Sequence, residues 1–267
     1  MKRTLWIALI ILLSVSFLTA CSGGKTSTSN KIVIGVSPDP HAKLIELIVD
    51  DLEKEDIEVE IKEFTDYVTP NLALDDGDLD ANFFQHTPYL EDFIEKEGVE
   101  LASIGGVHVE PMALYSDKID SIDELEDGAE IAIPNDTVNG GRALILLEAH
   151  GLIKLEEGAG LEATERDIAE NPKNLTFTPL EAAIIPRALD DVDAAIINGN
   201  YALEQGLNPV NDGIIIEDAD SPYANIVAVR KGEENMERFK KLMEALQSEK
   251  VKNFIEEEYD GAIVPAF

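Results

Sequence analysis

Apolar runs typical of strands alternate along this chain with segments of helical periodicity, and that order leaves few folds open. The continuous apolar run over residues 32–36 predicts a strand buried on both faces. After a break at 37–40, apolar residues recur at helical spacing and predict a helix over 41–54. Residues 57–62 then alternate between apolar and charged, which is typical of a half-buried strand. A strand, a helix and a second strand in succession predict a parallel βαβ unit.

The same order recurs downstream, so the chain is expected to be an α/β protein. Helices are predicted over 87–97, 142–150 and 178–189 and at 236–246, and strands over 130–134, 175–177, 193–197, 214–216 and 226–229. Capping boxes at 121–124 and 178–181 support two of the helix starts. The strand-rich stretches 102–116 and 214–230 contain no long helix, and we expect the chain to cross between two lobes there. The predicted lobes are 31–112 with 228–267, and 113–227.

The N-terminal 30 residues have the pattern of a targeting segment. A short basic region precedes an apolar run from Leu5 to Leu18, which is signal-peptide length and short for a membrane span. Leu18-Thr19-Ala20-Cys21 then resembles a bacterial lipobox. We expect residues 1–20 to be removed, Cys21 to be acylated, and the Ser/Thr/Gly-rich residues 21–30 to form a tether. The protein is therefore expected to be lipid-anchored on the extracytoplasmic face of the cell membrane, although an uncleaved anchor is an alternative.

Charge and cysteine content exclude several function classes. The chain has 21 basic and 54 acidic residues, a net charge of −33, so nucleic acid phosphates would repel it. Cys21 is the only cysteine, which excludes an internal disulfide and a cysteine-based metal cluster. The four histidines (His41, His86, His108 and His150) are separated in sequence with no pair at metal-binding spacing, so no metal and no cofactor is predicted.

The loop at 134–142 carries the strongest sign of a binding site. It joins a predicted strand to a predicted helix, and Gly140 and Gly141 would let the backbone approach a ligand. Arg142 is expected in the first helical turn, where a cation is unfavourable for the helix dipole. A guanidinium there can bind a carboxylate through two parallel hydrogen bonds. The alternative is a surface arginine paired with one of the many acids.

Aromatic and amide residues suggest two further parts of a site. Tyr67, Phe84 and His86 lie in loops that could wall an apolar pocket, although core packing and helix capping would also explain the last two. Asn198 and Asn225 lie at strand ends, where an amide can serve as donor and acceptor for a zwitterion or simply form a turn. No nucleophile–base pair or Gly-x-Ser-x-Gly elbow is present in the sequence, so we do not expect an enzyme.

The mature chain resembles the methionine-binding lipoproteins of the MetQ/NlpA type, which are substrate-binding proteins of ATP-binding-cassette importers. The resemblance rests on segments in the same order: Thr65-Asp66-Tyr67-Val68 with Pro70-Asn71, Asp78-Leu79-Asp80-Ala81-Asn82, Phe84-Gln85-His86 with Pro88-Tyr89-Leu90, Ile133-Pro134-Asn135-Asp136, Asn139 with Gly141-Arg142, Glu170-Asn171-Pro172-Lys173-Asn174-Leu175, and Ser221-Pro222-Tyr223 with Asn225. It implies a two-lobe periplasmic-binding-protein-like fold, type II-like, with the ligand in the cleft between the lobes.

The resemblance also implies a ligand and partners. Methionine, as the L or D enantiomer, is the expected ligand, with glycyl-methionine as an alternative and a metal ion as a less favoured one. Tyr67 and Phe84 resemble the aromatic walls for the thioether, and His86 a polar contact beside them. Arg142 resembles the carboxylate-binding arginine, and Asn198 and Asn225 the groups that hold the amino-acid end. The expected partners of this monomer are a membrane permease and its cytoplasmic ATPase.

Overall fold

A computed structural model describes residues 30–218 and 222–267 of the chain. The predicted signal peptide, Cys21 and all but the last residue of the predicted tether lie outside the described residues. In chain order the strands are β1 (Lys31–Val36), β2 (Glu58–Glu63), β3 (Ala81–His86), β4 (Leu101–Val109), β5 (Ala113–Tyr115), β6 (Glu130–Pro134), β7 (Lys154–Leu155), β8 (Ile168–Glu170), β9 (Thr176–Leu180), β10 (Ala194–Ile197), β11 (Ile215–Ile216), β12 (Ala224–Arg230) and β13 (Val264–Pro265). The α-helices are α1 (Lys43–Lys54), α2 (Thr69–Asp75), α3 (Thr87–Glu97), α4 (Thr137–Ala149), α5 (Ile185–Ala188), α6 (Gly199–Glu204), α7 (Glu237–Leu246) and α8 (Glu249–Glu258).

Six strands form one mixed sheet in the order β13-β4-β12-β3-β1-β2. β1 pairs in parallel with β2 and with β3, so the predicted βαβ start is confirmed. The apolar face of α1 packs on this sheet, with Leu44, Ile45 and Ile48 completely buried. Burying each such side chain contributes about 1.5–3 kcal/mol of hydrophobic stabilisation. The apolar residues therefore recur at the helical spacing that places them against the sheet.

Five strands form a second mixed sheet in the order β11-β5-β10-β6-β9. Its β9 shows that one prediction was wrong, because the segment expected to cap a helix at 178–181 continues the strand as far as Leu180. The segment pairs in parallel with β6, and Pro179 is tolerated because β9 is an edge strand that needs no N–H at that position. The helix predicted to run to 189 is reduced to the four residues of α5.

The chain crosses between the two sheets twice. The first crossover, residues 110–112, joins β4 to β5, and the second lies between β11 and β12 and begins at Glu217. The strand β12 pairs with β3 and β4 from Ala224 onward, so the lobe boundary predicted after residue 227 falls inside a strand. Over residues 30–218 and 222–267, no helix combines the length and the apolar character that crossing a bilayer requires.

Candidate functional site

The six residues predicted to bind a ligand all line one pocket. Tyr67 precedes α2, Phe84 and His86 belong to β3, and Asn225 lies in β12, so four of them come from segments of the six-stranded sheet. Arg142 lies in α4 and Asn198 follows β10, next to the five-stranded sheet. The pocket is therefore built from the segments of both sheets. The roles predicted for the individual residues stay predictions.

One wall of the pocket is aromatic. The ring of Tyr67 lies 5.9 Å from the rings of Phe84 and Tyr89, and 5.0 Å from that of Tyr201, measured between centroids. The Tyr67 hydroxyl donates to Asn200 Oδ1, and the Tyr89 hydroxyl donates to the Tyr67 carbonyl. These bonds hold the rings in place, because a buried hydroxyl needs a partner. Phe83, the neighbour of Phe84 on β3, faces the opposite way and is core.

His86 both caps a helix and faces the pocket. Its Nδ1 accepts the backbone N–H of Tyr89 and so caps α3, as one of the alternatives in the sequence analysis held. Its Nε2 lies 3.2 Å from Asn139 Oδ1, to which it donates when the ring is neutral. Burial, followed by the Arg142 guanidinium, lowers the pKa of His86 to about 3. The imidazole is therefore neutral near pH 7 and has a fixed tautomer.

Asparagine side chains form the polar floor of the pocket. Asn139 Oδ1 accepts from Asn198 Nδ2 at 2.9 Å as well as from His86, and Asn139 Nδ2 donates to Asp136. Two buried polar atoms in this part, Asn198 Oδ1 and Asn200 Nδ2, have no hydrogen-bond partner among the described residues. An unused acceptor and an unused donor at the surface of a pocket are suited to a polar ligand, since burying them without a partner is unfavourable.

Arg142 is placed differently from the sequence expectation. The helix α4 begins at Thr137 and is capped by Asp136, whose carboxylate accepts the Asn139 N–H, so Arg142 lies in the second turn. The glycines before it serve the packing of α4. A Cβ at Gly141 would lie 2.3 Å from the Leu161 carbonyl oxygen, and one at Gly140 would lie 2.9 Å from that of Pro134.

The Arg142 guanidinium forms two parallel hydrogen bonds with a carboxylate of the protein itself, that of Glu217. Nε donates to Glu217 Oε1 at 3.0 Å and Nη2 to Glu217 Oε2 at 2.5 Å. Nη2 also donates to the Glu110 carbonyl oxygen at 2.8 Å, and the guanidinium lies 4.2 Å from the ring centroid of Tyr223. Arg142 is thus tied to both crossovers. Its remaining nitrogen, Nη1, makes no hydrogen bond to the described residues.

Two of the histidines expected to be separate meet at one buried carboxylate. His108 Nε2 lies 2.8 Å and His41 Nε2 lies 3.3 Å from Glu110 Oε1. Glu110 Oε2 accepts the backbone N–H of Asn200 at 2.9 Å. Burial lowers the pKa of His41 to about 4 and that of His108 to about 3, and it raises the pKa of Glu110.

Within the described residues, His41, His108 and Glu110 are the one group whose donor atoms lie close enough to hold a metal ion. A metal-binding histidine usually donates its second ring N–H to a carboxylate or carbonyl. Here Nδ1 of both rings is buried without a partner, so the tautomer protonated at Nε2 leaves no N–H unsatisfied. This arrangement favours hydrogen bonding over three ligands of an ion, because His108 Nε2 then donates to Glu110 and His41 Nε2 donates to Asn225 Oδ1.

The predicted set of ligand-binding residues left out several residues of the pocket, chiefly Glu110, Tyr89 and Asn139, as well as Glu217 behind it. Tyr89 and Asn139 were named only within the segments that carry the family resemblance. The two glutamates share a signal that was available. Each directly follows a strand segment, Glu110 after 107–109 and Glu217 after 214–216, in the two stretches where the chain was expected to cross between lobes. In α/β proteins ligands bind where such segments meet.

The fold and the pocket define a class of protein. Two α/β lobes joined by two crossovers, with a pocket between them, form a periplasmic-binding-protein-like substrate-binding fold. The structure of a nutrient binding protein from Burkholderia cenocepacia bound to methionine superposes with a TM-score of 0.86 at 46% identity, over 88% of this chain and 100% of that chain.

The chain belongs to the NlpA lipoprotein family, because the sequence profile of that family matches residues 32–267. It is 47% identical over 252 residues to the probable D-methionine-binding lipoprotein MetQ of Vibrio cholerae, covering 94% of this chain and 93% of that protein. It is 48% identical over 249 residues to outer membrane lipoprotein 3 of Mannheimia haemolytica, covering 93% of each. The family predicted from the sequence is confirmed.

Proposed function

We propose that this protein is a lipid-anchored receptor that captures methionine and delivers it to an ATP-binding-cassette importer. The observation that carries the proposal is the pocket, in which an aromatic wall faces an arginine and a set of amides between two lobes. The methionine-bound relative and the printed name of the Vibrio relative support the ligand. No nucleophile–base pair was found in the sequence, and the relatives are named as binding proteins, which supports a receptor rather than an enzyme.

The aromatic wall suits the side chain of methionine. The rings of Tyr67, Phe84 and Tyr89 surround one region of the pocket. A thioether sulfur against an aromatic ring gains about 0.3–1.5 kcal/mol per contact. We therefore assign Tyr67 and Phe84 to the thioether, with His86 as the neutral polar neighbour that positions α3 and Asn139.

The opposite part of the pocket suits a zwitterion. Arg142 Nη1 is the donor we assign to the ligand carboxylate, since the other face of the guanidinium is held by Glu217. Asn198 offers an unused buried acceptor. Asn225 Oδ1 already contacts His41 Nε2 at 3.2 Å, and its Nδ2 completes the amide set. The ligand would then be bound by one charge and several directed hydrogen bonds.

The lobes and the anchor fit delivery to a transporter. We assign residues 31–112 and 224–267 to lobe 1 and 113–223 to lobe 2, which moves the predicted boundary to the start of β12. Cys21 would carry the lipid and residues 22–30 the tether, so a monomeric receptor would stay at the extracytoplasmic face of the membrane. The partners would be a permease and a cytoplasmic ATPase. Cys21→Ala in the full chain should release the protein from membranes in a fractionation assay.

Calorimetric titration of the lipid-free domain, residues 22–267, tests the ligand. The domain is unfolded and refolded first to remove carried-over ligand. L-methionine, D-methionine, glycyl-methionine and leucine are then titrated in parallel. Tight binding of one methionine compound with leucine silent supports the proposal and identifies the ligand. Tight binding of glycyl-methionine alone would make the protein a dipeptide receptor. No heat with any methionine compound, in a domain shown to be folded by circular dichroism, would refute it.

A further inference from the structure

Glu110 is the only carboxylate among the described residues that line the pocket, and Arg142 is the only guanidinium or ammonium group there. The two are adjacent, since Arg142 Nη2 donates to the Glu110 carbonyl oxygen at 2.8 Å. A free amino acid carries its two charges on one carbon atom. A pocket with one buried guanidinium beside one buried carboxyl group can match that pair of charges.

The surroundings of Glu110 hold its carboxyl group in place. Only 5% of the residue is exposed, Oε1 accepts the His108 Nε2–H and Oε2 accepts the Asn200 backbone N–H. Burial raises the pKa of Glu110, whereas these two donors and an incoming ammonium group favour the charged form. Gly199 lets the start of α6 lie close to Glu110, because a Cβ at position 199 would lie 2.7 Å from Glu110 Cβ.

The carboxylate still has capacity for a ligand. Two carboxylate oxygens offer about four acceptor positions, and two donors from the protein, His108 Nε2 and Asn200 N, occupy one position on each oxygen. Asn198 Oδ1, a buried acceptor without a partner among the described residues, lines the same pocket. An ammonium group has three donors and needs such a set of oxygens.

We infer that Glu110 is the residue that selects for the α-ammonium group of the ligand, by placing a buried carboxyl group with free acceptor capacity beside the arginine that binds the ligand carboxylate. The inference rests on the proposed function. It predicts that the receptor binds α-amino acids, or peptides with a free amino terminus, and discriminates against acids of the same shape that lack the amine.

The test uses two ligands and two proteins in the lipid-free domain. Methionine and its des-amino analogue, 4-(methylthio)butanoate, are titrated calorimetrically into the unaltered protein and into Glu110→Gln. The unaltered protein should prefer methionine by at least 30-fold. Glu110→Gln should lose most of that preference by weakening methionine at least 10-fold while the affinity for the analogue changes less than 3-fold. A merely structural role would weaken both ligands alike.

Glu130→Gln is the matched control, because this partly buried carboxylate on β6, which accepts from the Thr178 hydroxyl, does not line the pocket. Its preference should equal that of the unaltered protein. If Glu110→Gln does not fold, the two-ligand comparison on the unaltered protein still decides, since equal affinities overturn the inference. Equal weakening of both ligands in the variant overturns it as well. If the unaltered protein binds neither compound, the proposed function fails and the inference fails with it.

Discussion

Removing one member of the Arg142–Glu217 pair should destabilise the protein even without ligand. Both side chains are largely buried, with 3% and 14% of the side chain exposed, and two hydrogen bonds join them. Breaking a buried ion pair from one side costs about 3–5 kcal/mol, because the other charge is left uncompensated. Since Glu217 retains some exposure, we expect about 3 kcal/mol for Arg142→Met, which keeps an apolar stem against Tyr223.

The coupling between the two residues is the quantity to measure. Glu217→Gln keeps an acceptor for Arg142 and should cost about 2 kcal/mol, in the range of a lost charged hydrogen bond. In the double variant Arg142→Met/Glu217→Gln no charge is stranded, so the cost should fall at least about 2 kcal/mol short of the sum of the single variants.

Urea unfolding of the ligand-free domain, followed by far-ultraviolet circular dichroism, gives the four free energies of unfolding. The control is Lys154–Glu170, an ion pair of similar length at 3.0 Å whose side chains are 64% and 66% exposed. Its coupling should stay below about 1 kcal/mol. Additive costs at 142 and 217, within about 0.5 kcal/mol, would refute the reasoning that the pair is a buried, mutually dependent unit.

Other side chains give predictions of different kinds. Burial lowers the pKa of His86 to about 3. As the pH falls below about 6.5, His86 is therefore protonated in the unfolded chain but not in the folded protein. Relative to His86→Asn, the free energy of unfolding should fall by about 1.4 kcal/mol per pH unit between about pH 6 and 3.5. Urea midpoints of both proteins at pH 7 and 4.5 check this, and parallel pH dependences would contradict it. Gly141→Ala should lower the thermal midpoint although alanine favours helices by about 1 kcal/mol, because its Cβ would lie 2.3 Å from the Leu161 carbonyl oxygen; a raised midpoint would show that the 160–162 turn yields freely. Phe84→Leu should weaken methionine about 2- to 10-fold, the range of one sulfur–aromatic contact, and weaken norleucine less; calorimetry with both ligands separates sulfur recognition from lost apolar area.

Periodicity predicted the parts of the fold that depend on burying one face of a segment. The helix around Leu44 and Ile48 and the half-buried strand β2 were recognised because their burial repeats with the period of the element. The segment around Pro179 was not, since a proline after a threonine is equally compatible with a helix start and an edge strand. Only the pairing with β6, a partner 46 residues away in sequence, decides between the two.

The candidate site was predictable where a residue type is unusual for its position. Arg142 attracted notice as a cation near a helix start, although the helix begins five residues earlier than expected and the stated reason was wrong. Glu110 and Glu217 did not attract notice, because in a chain with 54 acidic residues a glutamate after a strand is ordinary. These two glutamates differ from the others by their burial. Burial of a single side chain at a crossover produces no periodic pattern in the sequence.

The crossovers are where a two-lobe protein can place charge with most effect. Glu110 and Glu217 lie on the two separate crossovers, and Arg142 holds both, one through a carbonyl and one through a carboxylate. Met112 and Glu217 also exchange backbone and side-chain bonds between the crossovers. A ligand carboxylate at Arg142 Nη1 would therefore contact a guanidinium that both crossovers hold in position. The same crossovers connect the two lobes. That arrangement requires the arginine to be fixed by the protein before the ligand arrives, which lowers the ordering cost of binding. The two hydrogen bonds from Nε and Nη2 to Glu217 supply this fixation.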